Sequence, residues 1–282
     1  MRLSRVATFA RYEARRAVAR KKVLALVAIT LLIGLAPYYL LDVVHVSLIT
    51  PPIRPYMWVV GVFIPQAFFV QFTALLIAAG SMSEEYESGT AEVLLSKPIS
   101  RQEYFFGKYL GGYVLLVCIM ALDSLLTVAS ATFVFGPQSQ LGILPWVFLA
   151  QIFAATVFFS FAFMFGELMR RSSLSYITSA SFFFVSLIIG LILDLFYTLT
   201  GSGVYLTVNR FLPTSPVDSL ALLYAEPQLP SVTSTIFRFG LFSTPVEPST
   251  ATAALLIAVY AVAAVGVALA YFMSADVAKR VT

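Results

Sequence analysis

The chain has 282 residues, of which 60% are hydrophobic and 11% charged, with a mean hydropathy of +0.90. A soluble domain has about a quarter of its residues charged, so this composition cannot clothe a water-facing surface and a membrane protein is expected. The net charge of +4 does not point to nucleic acid: eight of the eighteen Lys and Arg lie in the first 22 residues, and no basic-aromatic surface follows them.

Those first residues, MRLSRVATFARYEARRAVAR, place Leu3, Val6, Phe9 or Ala10, Ala14 and Ala17 at helical spacing with Arg on the remaining face. The pattern predicts a short amphipathic helix over 1–22, lying in the membrane interface with its arginines at the headgroups. Six apolar runs follow, at about 23–41, 57–80, 109–135, 143–166, 174–197 and 251–273. Each is long enough to cross a hydrocarbon core of about 30 Å as a helix, and two-residue alternation, the mark of barrel strands, is absent. The first run is too long for the apolar region of a cleavable signal, and no small-residue cleavage site follows it.

The loops set the orientation. With the N-terminus inside, fifteen Lys and Arg fall on cytoplasmic segments and three (Arg54, Arg210 and Arg238) on outer ones. This positive-inside bias places both termini in the cytoplasm and the chain in the plasma membrane as a multi-pass protein.

The cytoplasmic segment 81–108 holds five of the fourteen acidic residues: Glu84, Glu85, Glu87, Glu92 and Glu103. Gly89 permits a break, Thr90 is read as the cap of a short helix over AEVLLS, and Pro98 ends that helix. Ser100-Arg101-Gln102-Glu103 fits a capping box that starts the helix entering the third span. The result is a short helix held between two breaks, suited to docking rather than to chemistry. The connection 198–250 is the longest. It holds six of the fourteen prolines and is apolar enough to dip into the outer leaflet or cap the bundle. The last span is rich in Ala and Gly, which lets neighbouring helices approach closely.

Chemistry-bearing residues are sparse. Cys118 and His45 each stand alone, so no disulfide or thiolate metal cluster forms within one chain, and no metal site is expected. There is no G-x-x-x-x-G-K-[ST], since Gly107-Lys108 is followed by Tyr109 without the upstream glycine, nor any G-x-S-x-G or H-E-x-x-H. Asp123 and Asp194 lie inside spans, where ionisable groups point to function. They are read as cavity-lining or interhelix hydrogen-bonding acids, with Asp123 bonded to a Ser or Thr of a neighbouring helix. A paired intramembrane aspartyl site is the lesser alternative.

The segment EEYESGTAEVLLSKPISRQEYFFGKYLG, Glu84 to Gly111, resembles the signature of ABC-2-type permeases, the membrane subunits of ATP-binding-cassette transporters. The motif positions are Glu84/Glu85, Gly89-Thr90, Glu92, Leu94-Leu95, Pro98, Ser100-Arg101 and Gly107-Lys108. SPVDSL, from Ser215 to Leu220, resembles a weaker motif of the branch that includes the NosY-like permeases, with Ser215 where that branch usually has Asn. The resemblance implies an all-α membrane fold of six spans, with 23–282 as one transmembrane domain behind the 1–22 helix. It also implies a pairing with a second copy or a related permease. A separate ATPase subunit would bind ATP and Mg, leaving no cofactor and no catalytic residue on this chain. Glu84, Glu85, Gly89, Thr90, Glu92, Leu94, Leu95, Pro98, Ser100 and Arg101 would dock in that ATPase, with Glu167, Arg170 and Arg171 as a second contact. Export is the direction the family favours. The alternative within it is a subunit that passes ATP-driven movement to an outer partner.

Overall fold

A computed structural model describes residues 3–44, 53–96, 99–229 and 248–274. Among these residues the regular structure is helical and no strand occurs. The long elements are α1 (Leu3–Val18), α2 (Lys21–Val44), α3 (Trp58–Ala67), α4 (Phe69–Glu87) and α5 (Thr90–Leu95). They continue with α6 (Arg101–Phe135), α7 (Leu144–Met169), α8 (Ser172–Thr200), α9 (Gly203–Asn209), α10 (Thr214–Ala225) and α11 (Thr250–Ser274). Short 3-10 turns lead into α3 and α7 and follow α10. His45, Lys97, Pro98, Arg238, Lys279 and Arg280 lie outside the described residues, as does 230–247 of the predicted outer connection.

Among the described residues five helices are long and apolar enough to cross a membrane: α2, α6, α7 with its leading turn, α8 and α11. The second apolar run is not one straight helix. It divides into α3 and α4, bent by 42° relative to each other, which make a sixth crossing element when the pair counts as one span. The bend has a local cause. Pro65 lies inside α3 and has no N–H to give the Gly61 carbonyl, and that carbonyl instead accepts from Thr127 Oγ1 of α6 at 3.3 Å. The backbone leaves the helical region at Phe68 (φ −134°, ψ −59°). Gln71 Nε2 donates to the Gln66 carbonyl across the break at 3.4 Å, and the Phe68 ring packs among Phe72, Phe183 and Phe184.

α7 is the central element, packed against α4, α8, α10 and α11. Small residues make those contacts close. A Cβ on Gly166 of α7 would stand 2.6 Å from the Ala79 carbonyl of α4, and Ala154, Ala155 and Ala162 are fully buried. Ala253, Ala264 and Ala268 line the buried side of α11. α8 contrasts with α7: Ile177, Val185, Ile188, Leu191, Leu195 and Leu199 are all exposed large apolar residues, a surface that fits lipid rather than water.

α1 occupies most of the segment 1–22 in which an interfacial helix is expected. It packs along α6, where a Cβ on Gly107 would stand 2.5 Å from Phe9 Cβ and one on Gly111 would stand 2.4 Å from the Ala10 carbonyl. Val6 and Ala17 of its apolar stripe are buried as expected, and so is Glu13, which is 0% exposed. Arg16 and Arg20 point into the protein rather than outward.

Candidate functional site

Where α1, α4 and α6 meet, three carboxylates and four cations form one connected network. Glu13 comes from α1, Glu84 and Glu85 from the last turns of α4, and Lys108 from α6. Arg16, Arg20 and Lys22 come from the α1–α2 junction. Lys108 Nζ pairs with Glu13, lies 2.8 Å from Glu85 Oε1 and donates to the Ser81 carbonyl at 2.8 Å. Arg16 pairs with Glu85 and reaches Glu84 Oε2 at 3.6 Å. Arg20 Nε lies 2.9 Å from Glu84 Oε2, and Arg20 Nη2 donates to the Gly80 carbonyl at 3.0 Å. Lys22 Nζ lies 2.5 Å from Glu84 Oε1, which also accepts from Tyr176 of α8 at 2.6 Å. Tyr104 donates to Glu85.

This arrangement answers the problem of burying charge. A carboxylate or ammonium out of water costs several kcal/mol unless it is paired and its remaining lone pairs and protons are satisfied. Glu13, Glu85 and Lys108 are at most 1% exposed, and each has more than one polar partner. Burial alone would lower the Arg16 pKa; Glu13, Glu85 and Glu84 outweigh it and hold the guanidinium above its ordinary value. The network therefore joins α1 to α4 and α6 as a set of fixed charges.

The next turn of chain is α5. α4 ends at Ser88, whose N–H bonds the Glu84 carbonyl at 3.0 Å. Gly89 then takes the left-handed conformation (φ 73°), in the way helices commonly terminate. Gly89 occupies the N-cap position of α5 with no side-chain cap. Thr90, expected as that cap, is the first helical residue, and its hydroxyl pairs with Ser88 instead. The capping box at Ser100 forms as expected: Glu103 N–H donates to Ser100 Oγ at 3.1 Å and Ser100 N–H to Glu103 Oε2 at 3.2 Å.

The predicted docking residues thus divide into two groups. Glu85 is buried and Glu84 half-buried, both bound to α1. Leu94 and Leu95 are half-buried against the core. Arg101 donates to the carbonyls of Phe272 and Met273, at 3.3 and 3.2 Å, and so caps the end of α11. Thr90, Glu92 and Ser100 are exposed, and Pro98 lies outside the described residues. Val93, which the sequence did not single out, is 61% exposed on α5, its apolar side chain uncovered.

The second predicted contact behaves similarly. Glu167 is buried and accepts from Tyr86 at 2.8 and 3.0 Å. Arg170 lies over the Tyr86 ring at 4.7 Å, while Arg171 is exposed. Glu87, at the end of α4, accepts from the backbone N–H of Ser172 at 3.1 Å, tying α4 to the start of α8. Asp123 is 4% exposed, with Oδ1 lacking a hydrogen-bond partner among the described residues and facing Gly34 of α2. The expected Ser or Thr partner for that oxygen is not there. Asp194 lines a cavity at the far end of α8, apart from this network. No group of three His, Cys, Asp or Glu side chains able to hold a metal occurs among the described residues.

A multi-pass helical bundle with a charged network at one end and a short exposed helix beside it is the setting in which the comparisons with known proteins fall. Residues 7–277 match the family described as ABC-2 family transporter protein, and the chain belongs to that family. It is also similar to a protein of Stutzerimonas stutzeri described as "Probable ABC transporter permease protein NosY", 30% identical over 132 residues. That alignment covers 45% of this chain and 47% of the relative, about half the length of each.

Proposed function

We propose that this chain is the permease subunit of an ABC-2-type exporter, driven by a separate ATPase subunit that docks on α5. The observation that carries this reading is the mechanical linkage of α5. It leaves α4 through one left-handed glycine, four residues after a buried acid, Glu85, that is ion-paired to α6 and α1. A push on the exposed face of α5 therefore acts on α4, α6 and α1 together. Interfaces of packed, charge-paired helices move as rigid bodies rather than deforming gradually.

Thr90, Glu92 and Val93 supply the docking surface, with Arg171 at the α7–α8 turn as the second contact. The charged network faces the cytoplasm, in keeping with the basic N-terminal segment, and both termini lie on that side. α3 and α4 form one broken span, giving six crossings, and the break at Phe68 is the hinge through which movement of α4 reaches the far side. ATP and Mg belong to the partner, and two permease subunits pair in the plasma membrane. Purification of the tagged chain from its native membranes in mild detergent tests the reading. An ATP-hydrolysing subunit is expected to accompany it, and a well-folded chain that brings none would end the proposal.

A further inference from the structure

α8, α9 and α10 enclose a cavity of about 40 Å³. It lies far from the charged network. Asp194 is 22 residues after Ser172 on the same helix, a distance of about 33 Å at 1.5 Å per residue. Asp194 of α8 and Asp218 of α10 both line it, and neither carboxylate has a cation or a hydrogen-bond donor among the described residues. Ser215 lines it too; this residue is 6% exposed, and its buried Oγ has no hydrogen-bond partner among the described residues. Buried polar groups are almost always satisfied within a protein. A paired arrangement of that kind holds the charges at the other end of this same molecule. Here two acids and an orphan hydroxyl line one space with no cation from the described residues to meet them.

We propose that this cavity binds the positively charged head of an organic amine. Asn209 and Thr214, which also line the cavity, are bonded to Gly190 and Ser186; the two carboxylates and Ser215 call for a cation with N–H donors, and an ammonium carries three donors and no acceptor. Ser219 lines it as well, and the apolar part of the lining, Leu187, Leu191 and Leu222, suits the carbon stem of an amine better than the water shell of a metal ion. The volume admits a head group and a short stem and nothing bulkier. Leu191 is also among the exposed apolar residues of α8, so a longer tail runs out along that face. The ligand class is therefore an amphipathic amine with its head at Asp194 and Asp218 and its tail on α8. As a cargo site this rests on the transporter reading; as a binding site it does not.

The test measures equilibrium binding of dansylcadaverine, a fluorescent primary amine, to the full chain in nanodiscs without ATP or an ATPase subunit. Failure here leaves the transporter reading standing. Saturable binding is expected, displaced by dodecylammonium and not by dodecanol. It is expected to weaken at least tenfold in Asp218→Asn and in Asp194→Asn, and about threefold in Ser215→Ala. Gly190→Ala keeps both acids but adds a methyl 3.3 Å from Asn209 Oδ1, and is expected to weaken binding as well. All variants are compared only after eluting as monodisperse protein. Equal binding by wild type and these variants would mean simple partition into lipid and overturn the proposal. So would displacement by micromolar Ca²⁺ or Mg²⁺ but not by dodecylammonium, which would make it a metal site.

Discussion

Lys108 Nζ of α6 and Glu85 Oε1 of α4 lie 2.8 Å apart with both side chains 1% exposed. Two features of the sequence that stand 23 positions apart, the acidic pair and the Gly-Lys, are thereby one structural unit, and Glu13 of α1 completes it. Removing one member leaves the others charged and buried.

Glu85→Gln and Lys108→Met are each expected to destabilise the protein by about 3 kcal/mol or more, the scale for breaking a buried pair from one side. The double variant should cost less than the two single effects added, because it leaves fewer unmatched charges. Thermal unfolding in a single detergent checks this. Additive losses would show that the two residues do not interact.

α1 reaches Glu85 and Lys108 because α6 presents glycine beneath it. Gly111→Val places side-chain atoms where the Ala10 backbone lies, 2.4 Å from where a Cβ would stand. Overpacking of this kind costs about 1–3 kcal/mol. The expected outcome is a chain whose N-terminal helix is released, read as faster cleavage by trypsin after the arginines of α1 while α6 to α8 stay protected.

Gly89 tests a different property. Nothing lies within 4 Å of a Cβ there, yet φ is 73°, so a side chain meets strain without a clash. Gly89→Ala is expected to cost about 1 kcal/mol, and Gly89→Asn less, since Asn tolerates the left-handed region. Equal unfolding temperatures for wild type, Ala and Asn variants would show that α5 does not hold this turn.

The sequence displays the five long apolar helices because length and hydropathy suffice for them, and the capping box at Ser100 because its chemistry is local. It does not display the direction in which a charged side chain points. Glu84 and Glu85 read as surface residues of a cytoplasmic loop, since the helix that buries them, α1, is 65 or more positions away. Glu13 was hidden as a single acid on an arginine-rich face. Pro65 is a local signal for the break at Phe68, but it sits inside an apolar run whose length and hydropathy alone describe one straight span. Asp218 lies in the long apolar connection expected to dip into the outer leaflet or cap the bundle, on a twelve-residue helix, α10, that packs against α7 and α11. Asp194 therefore has Asp218, and not Asp123, as its neighbour at the cavity.

The most direct measurement is site-specific cross-linking from α5 in the assembled complex. Cys118 is the chain's only cysteine, so a Cys118→Ser background leaves each introduced thiol unique. Val93→Cys, at a position 61% exposed on α5, is compared with Leu199→Cys, 71% exposed at the far end of α8. Val93→Cys is expected to capture the ATPase subunit through a short bifunctional reagent, and Leu199→Cys to capture none. Capture from Leu199→Cys, or its absence from Val93→Cys in a complex that still hydrolyses ATP, would contradict the assignment of α5 as the docking element.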